Sequence, residues 1–311
     1  MYYYQLFHLK VKSDIVLDAF QEVSPIADIN VIVREGKFEV PFGEEQLGVH
    51  AFGRFRYDTE RCYYEHPDDG SKFIVHKHSE HTKVIFYFAS EDHRQTVLSY
   101  FYGTGLSAIL HYNRSIPIHA SGVTRGDDLY LFCGRSGIGK STLATSLKLK
   151  GYDLFADDKC VLSDQDGTWT ARPGLTIMRL WQNTLDAIDP SAFLHDAKEV
   201  VFRKDKYQYQ IDTAHLDISP KQVKAIYIII NVHVDQTLSA EELTGQTKLA
   251  LFQQQIFRRQ MISGMGLEQH LWHFLVSVLS DIPVYLISRP KETEIDTFSD
   301  YMNDQLLSLS E

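Results

Sequence analysis

Gly134-Arg-Ser-Gly-Ile-Gly-Lys-Ser141 decides the reading of this chain. The segment has the spacing GxxxxGK[ST], with an apolar run at residues 129–133 before it and a stretch of helical composition at residues 142–150 after it. Strand, loop and helix in that order are the setting a phosphate-binding loop needs. Glycines let the backbone curl round a phosphate so that its N–H groups converge, and the amino terminus of the following helix adds a favourable dipole. Gly134, Arg135, Ser136, Gly137, Ile138, Gly139, Lys140, Ser141 and Thr142 are therefore expected to bind ATP. Lys140 supplies a mobile positive charge to the β and γ phosphates, and the Ser141 hydroxyl can coordinate Mg²⁺.

Downstream, residues 152–156 read as a strand ending in Asp157-Asp158, sixteen residues after Ser141. Carboxylates at the carboxyl ends of strands lie on the rim of an α/β sheet, where ligands bind. One of the pair can help hold Mg²⁺ while the other accepts a proton from an attacking hydroxyl. The plainer alternative is two acids ending a strand in solvent. Upstream, apolar runs at 116–124 and 129–133 flank Arg125-Gly126-Asp127-Asp128, which suits a tight hairpin reversal. His119 lies on the first arm, where an imidazole can orient a carboxylate or share its proton, although a lone strand histidine is commonly structural.

Taken together, His119-Ala-Ser-Gly-Val123, the loop at 134–142 and Gly151-Tyr-Asp-Leu-Phe-Ala-Asp-Asp158 resemble the catalytic domain of the HPr serine kinase/phosphorylases and their relatives. That family carries a histidine-containing strand, a GxSGxGKS loop and a strand ending in two aspartates, in this order. The resemblance implies an α/β fold, an HPr-kinase/PEP-carboxykinase-like P-loop domain with a mixed sheet and flanking helices. It makes Asp157 the catalytic base, His119 its neighbour, and Asp158, with Ser141, a metal ligand. The chain departs from that family where Arg172-Pro-Gly-Leu-Thr-Ile-Met-Arg-Leu-Trp181 stands in place of a glycine-rich signature. It looks more like the stand-alone HPr-kinase homologues of bacterial lasso-peptide clusters, which phosphorylate a serine of a precursor peptide. The function so implied is an ATP- and Mg-dependent kinase acting on a serine hydroxyl of a peptide or small protein. A nucleotide-binding regulatory protein and a small-molecule kinase are the alternatives.

Basic residues could complete such a site. Arg203, beside Lys204 and Lys206, and Arg258, beside Arg259, are candidates to stabilise the transferring phosphoryl group or hold a peptide carboxylate. Solvated charge explains either cluster as well.

The rest of the sequence sets bounds. Across 311 residues, 31 Lys and Arg stand against 41 Asp and Glu, a net charge of −10, which disfavours nucleic acid as a partner. The longest nearly continuous apolar run, residues 225–232, is too short to span a membrane. Cys62, Cys133 and Cys160 form no close pair, which points to a reducing, cytoplasmic setting. Cys133 reads as an apolar residue beneath the loop.

Residues 1–112 are expected to form a small, mostly β domain, with strands near 3–11, 28–33, 51–57, 72–78 and 83–89 and a connecting helix over 91–112. Residues 113–311 then form the catalytic domain. Helices are expected over 247–262, 267–281 and 292–309, with Ser239-Ala-Glu-Glu242 as a capping box. His76, His78 and His81 read as solvated edge histidines rather than a metal site. Phe52, Phe55, Tyr57, Tyr63 and Tyr64 suit either a peptide-binding surface or a core. A homo-oligomer is compatible with all of this.

Overall fold

The computed structural model describes residues 1–43, 48–50, 53–200, 203–212 and 217–309. The chain divides into two compact units, Met1–Pro117 with Arg258–Leu271, and Ile118–Phe257 with Trp272–Glu311. The division falls a few residues beyond the expected 112/113, and the first unit takes in a later segment. Within that unit the Tyr57 hydroxyl donates to the Gln260 carbonyl at 2.9 Å and a His270 ring nitrogen meets the Arg114 carbonyl at 2.7 Å.

The first unit is a nine-stranded mixed sheet. Its strands are β1 (Tyr2–Leu6), β2 (Leu9–Ser13), β3 (Gln21–Glu22), β4 (Val31–Glu35), β5 (Gly48–His50), β6 (Gly53–Tyr57), β7 (Arg61–Glu65), β8 (Lys72–Lys77) and β9 (Thr82–Tyr87), in the order β3-β1-β2-β4-β9-β8-β7-β6-β5. The run expected as one strand over 3–11 is a hairpin, because Phe7 takes a left-handed conformation and reverses the chain. Tyr63 and Tyr64 are buried, so those two aromatics are core, while Phe52 lies outside the described residues.

The helix expected to connect the two parts instead covers this sheet. It runs as α1 (Arg94–Tyr100), a π-helical turn (Phe101–Gly105) and α2 (Leu106–Tyr112), and Phe101 packs edge-on against Phe73 and Phe86. Gly105 permits the approach: a Cβ there would lie 2.9 Å from the Phe73 ring.

The second unit is built on a mixed sheet with flanking helices. In chain order its elements begin with β10 (Pro117–Ile118), β11 (Ala120–Arg125), β12 (Asp128–Cys133), α3 (Lys140–Leu149), β13 (Asp153–Ala156), β14 (Cys160–Gln165) and β15 (Thr168–Ala171). A separate three-stranded antiparallel sheet follows, of β16 (Ile177–Trp181), β17 (Leu194–Glu199) and β18 (Lys206–Ile211), with α4 (Gln182–Ala187) between the first two. The chain then returns through β19 (Lys221–Val232), β20 (Ser239–Glu242), α5 (Gly245–Phe252), α6 (Gln260–Gly264), α7 (Glu268–Asp281), β21 (Val284–Pro290) and α8 (Ile295–Ser308), of which α6 and the first turn of α7 lie in the first unit.

The centre of the main sheet is β19, parallel to both β12 and β21. Ala225 to Ile229 are buried without alternation, as a strand covered on both faces requires. The apolar side of α3, with Leu143, Ala144 and Leu147, packs with Phe132, Tyr227 and Phe298 in one core cluster. Each fully buried side chain of this size contributes about 1.5–3 kcal/mol.

Two expectations are corrected here. Ser239 to Glu242 form an edge strand paired to β21 rather than a capping box, since that edge offers a ladder of backbone partners. The single helix over 247–262 is broken after Gln255, because Ile256 is extended and bridges Ile118, while the Gln255 carbonyl accepts the His119 amide at 2.7 Å. No helix of the described residues is long and apolar enough to cross a membrane.

Candidate active site

The order of strands places the chemistry-bearing residues at one rim. β13 is antiparallel to β11, which is antiparallel to β12, so β12 and β13 point the same way and finish at the same edge of the sheet. The residues after β12 are 134–142, the segment with the spacing of a phosphate loop; those after β13 are Asp157 and Asp158.

The loop has the backbone its glycines predict: Gly134, Gly137 and Gly139 all have positive φ. Gly134 is also constrained by space, because a Cβ would stand 2.7 Å from the Ile229 carbonyl oxygen of β19. α3 starts at Lys140, so the first amides of the helix face the loop. The Lys140 ammonium is folded onto the loop, donating to the Gly134 carbonyl at 2.9 Å and the Arg135 carbonyl at 3.3 Å. Burial lowers its pKa, against the opposing pull of Cys133, Asp157 and Asp158. The Cys133 thiol is pushed up to about 12 by burial, which fits an inert apolar role beneath the loop.

Asp157 ties the loop to its neighbours. Its Oδ1 accepts the Ser141 hydroxyl and the Ser121 hydroxyl, each at 2.7 Å, and its Oδ2 accepts the Arg179 amide of β16 at 3.0 Å. The residue is 4% exposed. Three donors therefore converge on two oxygens held inside the protein.

Asp158 is placed differently. Its side chain is 25% exposed and its backbone is left-handed, with φ of 70°, a conformation uncommon outside glycine that aspartate adopts more readily than most residues. One oxygen lies 3.8 Å from His119 Nε2, and the other accepts the Lys159 ammonium at 2.8 Å with the Arg179 guanidinium 3.9 Å away. Burial alone would raise its pKa, but Lys159, Arg179 and His119 hold it well below the usual carboxylate range. His119 is lowered to about 4 by burial and by the charge of Lys140, with the two aspartates opposing, so its imidazole is neutral at pH 7. Its ring meets Phe257 edge-on, and the same Phe257 ring receives the Lys159 ammonium at 4.1 Å.

No family model matches the chain, and no curated protein matches it. Among solved structures it is similar to the HPr(Ser) kinase/phosphatase from Coxiella burnetii, at 13% identity and a TM-score of 0.33, over 63% of this chain and 99% of that one. So distant a likeness says nothing of activity, and the chemistry rests on the geometry of the site itself.

The structure brings His119, Lys140, Ser141, Asp157 and Asp158 together. Arg203 is an exposed residue of the turn before β18, and Lys206, behind it, is the cation that feels Asp157 and Asp158. Arg258 falls in the first unit, where its charge acts on Cys62 and Tyr100.

Four participants carried no local signal. Ser121 was visible only as part of the His119 strand, and Arg179 as part of the stretch over 172–181. Lys159 reads as one more charge beside the acids, yet it is 1% exposed. Arg289, at the end of β21, donates to the Ile138 carbonyl of the loop at 3.3 Å and stacks on Phe298. Only strand order reveals that its end of β21 shares the rim with the loop.

The donor set also tests whether Mg²⁺ fits. Ser141 Oγ and Asp157 Oδ1 are hard oxygens already 2.7 Å apart beside a lysine, the kind of ligand Mg²⁺ takes with waters and substrate phosphates.

Proposed function

We propose that this protein is an ATP- and Mg²⁺-dependent phosphotransferase that passes a phosphoryl group to a serine hydroxyl of a peptide or small protein. The observation that carries the reading is the Ser141–Asp157 hydrogen bond, which joins a phosphate loop to a carboxylate pair at one sheet rim. Ser141 would hold the metal, which would supply positive charge to offset that of the phosphates. The loop amides and Lys140 bind the phosphate chain, and Arg179 and Lys206 add positive charge beside the acids.

Asp157, with both oxygens engaged, holds Ser141 in place. Asp158 and neutral His119 face the more open side and receive the acceptor. The serine oxygen forms the new bond to phosphorus while the bond to the bridging oxygen of ADP breaks, and the hydroxyl proton passes to Asp158. A carboxylate of low basicity suffices, because a loose transition state demands little proton removal and most of the rate gain comes from positioning and charge. This arrangement exchanges the duties that the family resemblance implies for the two aspartates.

The test is intact-mass spectrometry of serine-ending peptides, beginning with a precursor encoded beside the gene, incubated with ATP and Mg²⁺. The expected result is addition of phosphate by the wild-type protein and none by Lys140→Ala or Asp158→Asn. Tight binding of ATP with no transfer to any peptide would favour the nucleotide-sensing alternative, and failure to bind ATP would overturn the reading.

A further inference from the structure

In the first unit, away from the phosphate loop, two imidazoles and a carboxylate converge. His66 follows β7, Asp69 sits in the turn between β7 and β8, and His93 immediately precedes α1. One ligand atom from each lies within 4.8 Å of the other two, and among the described residues no other three or more His, Cys, Asp or Glu side chains come together so closely. His66 Nδ1 is 3.6 Å from one Asp69 oxygen, and His93 Nδ1 is 3.3 Å from the other. The two rings stack with centroids 4.1 Å apart.

The donor atoms are held close together inside the turn. His66 is 2% exposed, and its Nδ1 accepts the Asp68 amide over a long 3.3 Å, so a lone pair rather than a proton stands at that nitrogen. His93 Nδ1 is buried, with the Asp69 carboxylate beside it at 3.3 Å. Asp69 is fixed by the Ser71 amide at 2.9 Å, the Ser71 hydroxyl at 2.7 Å and the Ser90 hydroxyl at 3.0 Å. Outer hydrogen bonds of that kind orient the carboxylates that ligate metals.

We propose that His66, Asp69 and His93 bind one divalent first-row metal ion, Zn²⁺ by the chemistry of the donors, with the fourth position left to water. Two imidazoles and one carboxylate suit zinc, whereas Mg²⁺ and Ca²⁺ prefer oxygen donors throughout. The ion would replace the weak Asp68 contact on His66 and the Asp69 contact on His93, and pin the β7–β8 turn to the start of α1. The site is independent of the phosphotransferase reading. His76, His78 and His81 also cluster their rings, but no carboxylate joins them in such a set.

The experiment uses the full chain, stripped with a chelator and titrated with Zn²⁺ by calorimetry, with Co²⁺ as an optical probe of the coordination. One equivalent should bind, the Co²⁺ form should show tetrahedral absorption bands, and His93→Gln should weaken binding by about tenfold or more. His76→Gln/His78→Gln should leave the titration unchanged. Thermal unfolding of His93→Gln in chelator should match wild type, which shows that the variant folds; if it does not, Asp69→Asn takes its place. Absence of zinc binding, an unaltered titration in the ligand variant, or loss of binding in the His76/His78 variant would overturn the proposal.

Discussion

Asp157→Asn keeps the side-chain shape and removes one acceptor. The Arg179 amide, fixed in β16 and 3.0 Å away, cannot reorient, so the asparagine oxygen must face it and Nδ2 turns towards Ser121 and Ser141. Hydroxyls can rotate to accept its protons, so the chain still folds. All three bonds to a charged group become neutral ones, however. With about 1.5–3 kcal/mol for the former and about 0.5–1.5 for the latter, the loss is about 1 kcal/mol each and about 3 in all. For a unit of this size that lowers the Tm by about 6–12 °C.

A second effect arises from the same rotation: the Ser141 lone pair that would face a metal now accepts the amide. The gain in ATP affinity that Mg²⁺ confers should fall by about tenfold or more, since the lost interaction is charge-assisted. Thermal unfolding without nucleotide and calorimetry of ATP with and without Mg²⁺ read the two effects separately. A Tm change under about 1 °C would refute the hydrogen-bond count. An unchanged Mg²⁺ dependence, with transfer abolished, would free Asp157 from the anchoring role and return it to that of base.

His119→Gln tests the neutral imidazole. Because the folded pKa is about 4 against an ordinary 6.5, the unfolded chain takes up the proton first, so the stability this residue confers is present above about pH 6.5 and is lost as pH falls towards 4. The variant should show a flatter stability curve across that window, and an unchanged slope would sink the assignment. Gly134→Ala forces a Cβ to 2.7 Å from the Ile229 carbonyl at a φ of +139°, and should cost at least about 1–3 kcal/mol in urea unfolding. An unshifted midpoint would mean that the loop does not hold this backbone. Arg289→Ala removes one donor to the loop and should weaken ATP binding about fivefold, the equivalent of about 1 kcal/mol, without abolishing it. Wild-type affinity would show that the loop is set without that contact.

What the sequence revealed depended on how local the cause was. The loop glycines and the β11–β12 reversal at Gly126 are dictated by residues next to one another and were legible, and α3 was placed to within two residues of its start at Lys140. So was the strand that ends at Asp157. The three-stranded sheet of β16, β17 and β18 was not, because β17 and β18 are polar and largely exposed or half-buried, so only apolar β16 offers a run, and its amide contact with Asp157 depends on pairing between distant segments. The break after Gln255 was hidden for a related reason: Gln253-Gln-Gln255 has good helix propensity, and the strand pairing of Ile256 with Ile118 overrides it. His66 and His93, far apart in sequence and in no metal-binding spacing, gave no signal that they would meet.

The parallel pairing of β12 with β19 and of β19 with β21 also governs when the loop can acquire its shape. The strand that leads into the loop must wait for partners encoded much later, and the Arg289 contact to Ile138 spans 151 residues. Long-range parallel pairing is slow because chain closure precedes its reward. During synthesis, the short α3 could form early, while the carbonyls and amides around it stay unorganised until β21 joins. Nucleotide would therefore meet a competent loop only late in folding, and a ribosome-stalled chain ending before residue 284 should emerge unable to grip it.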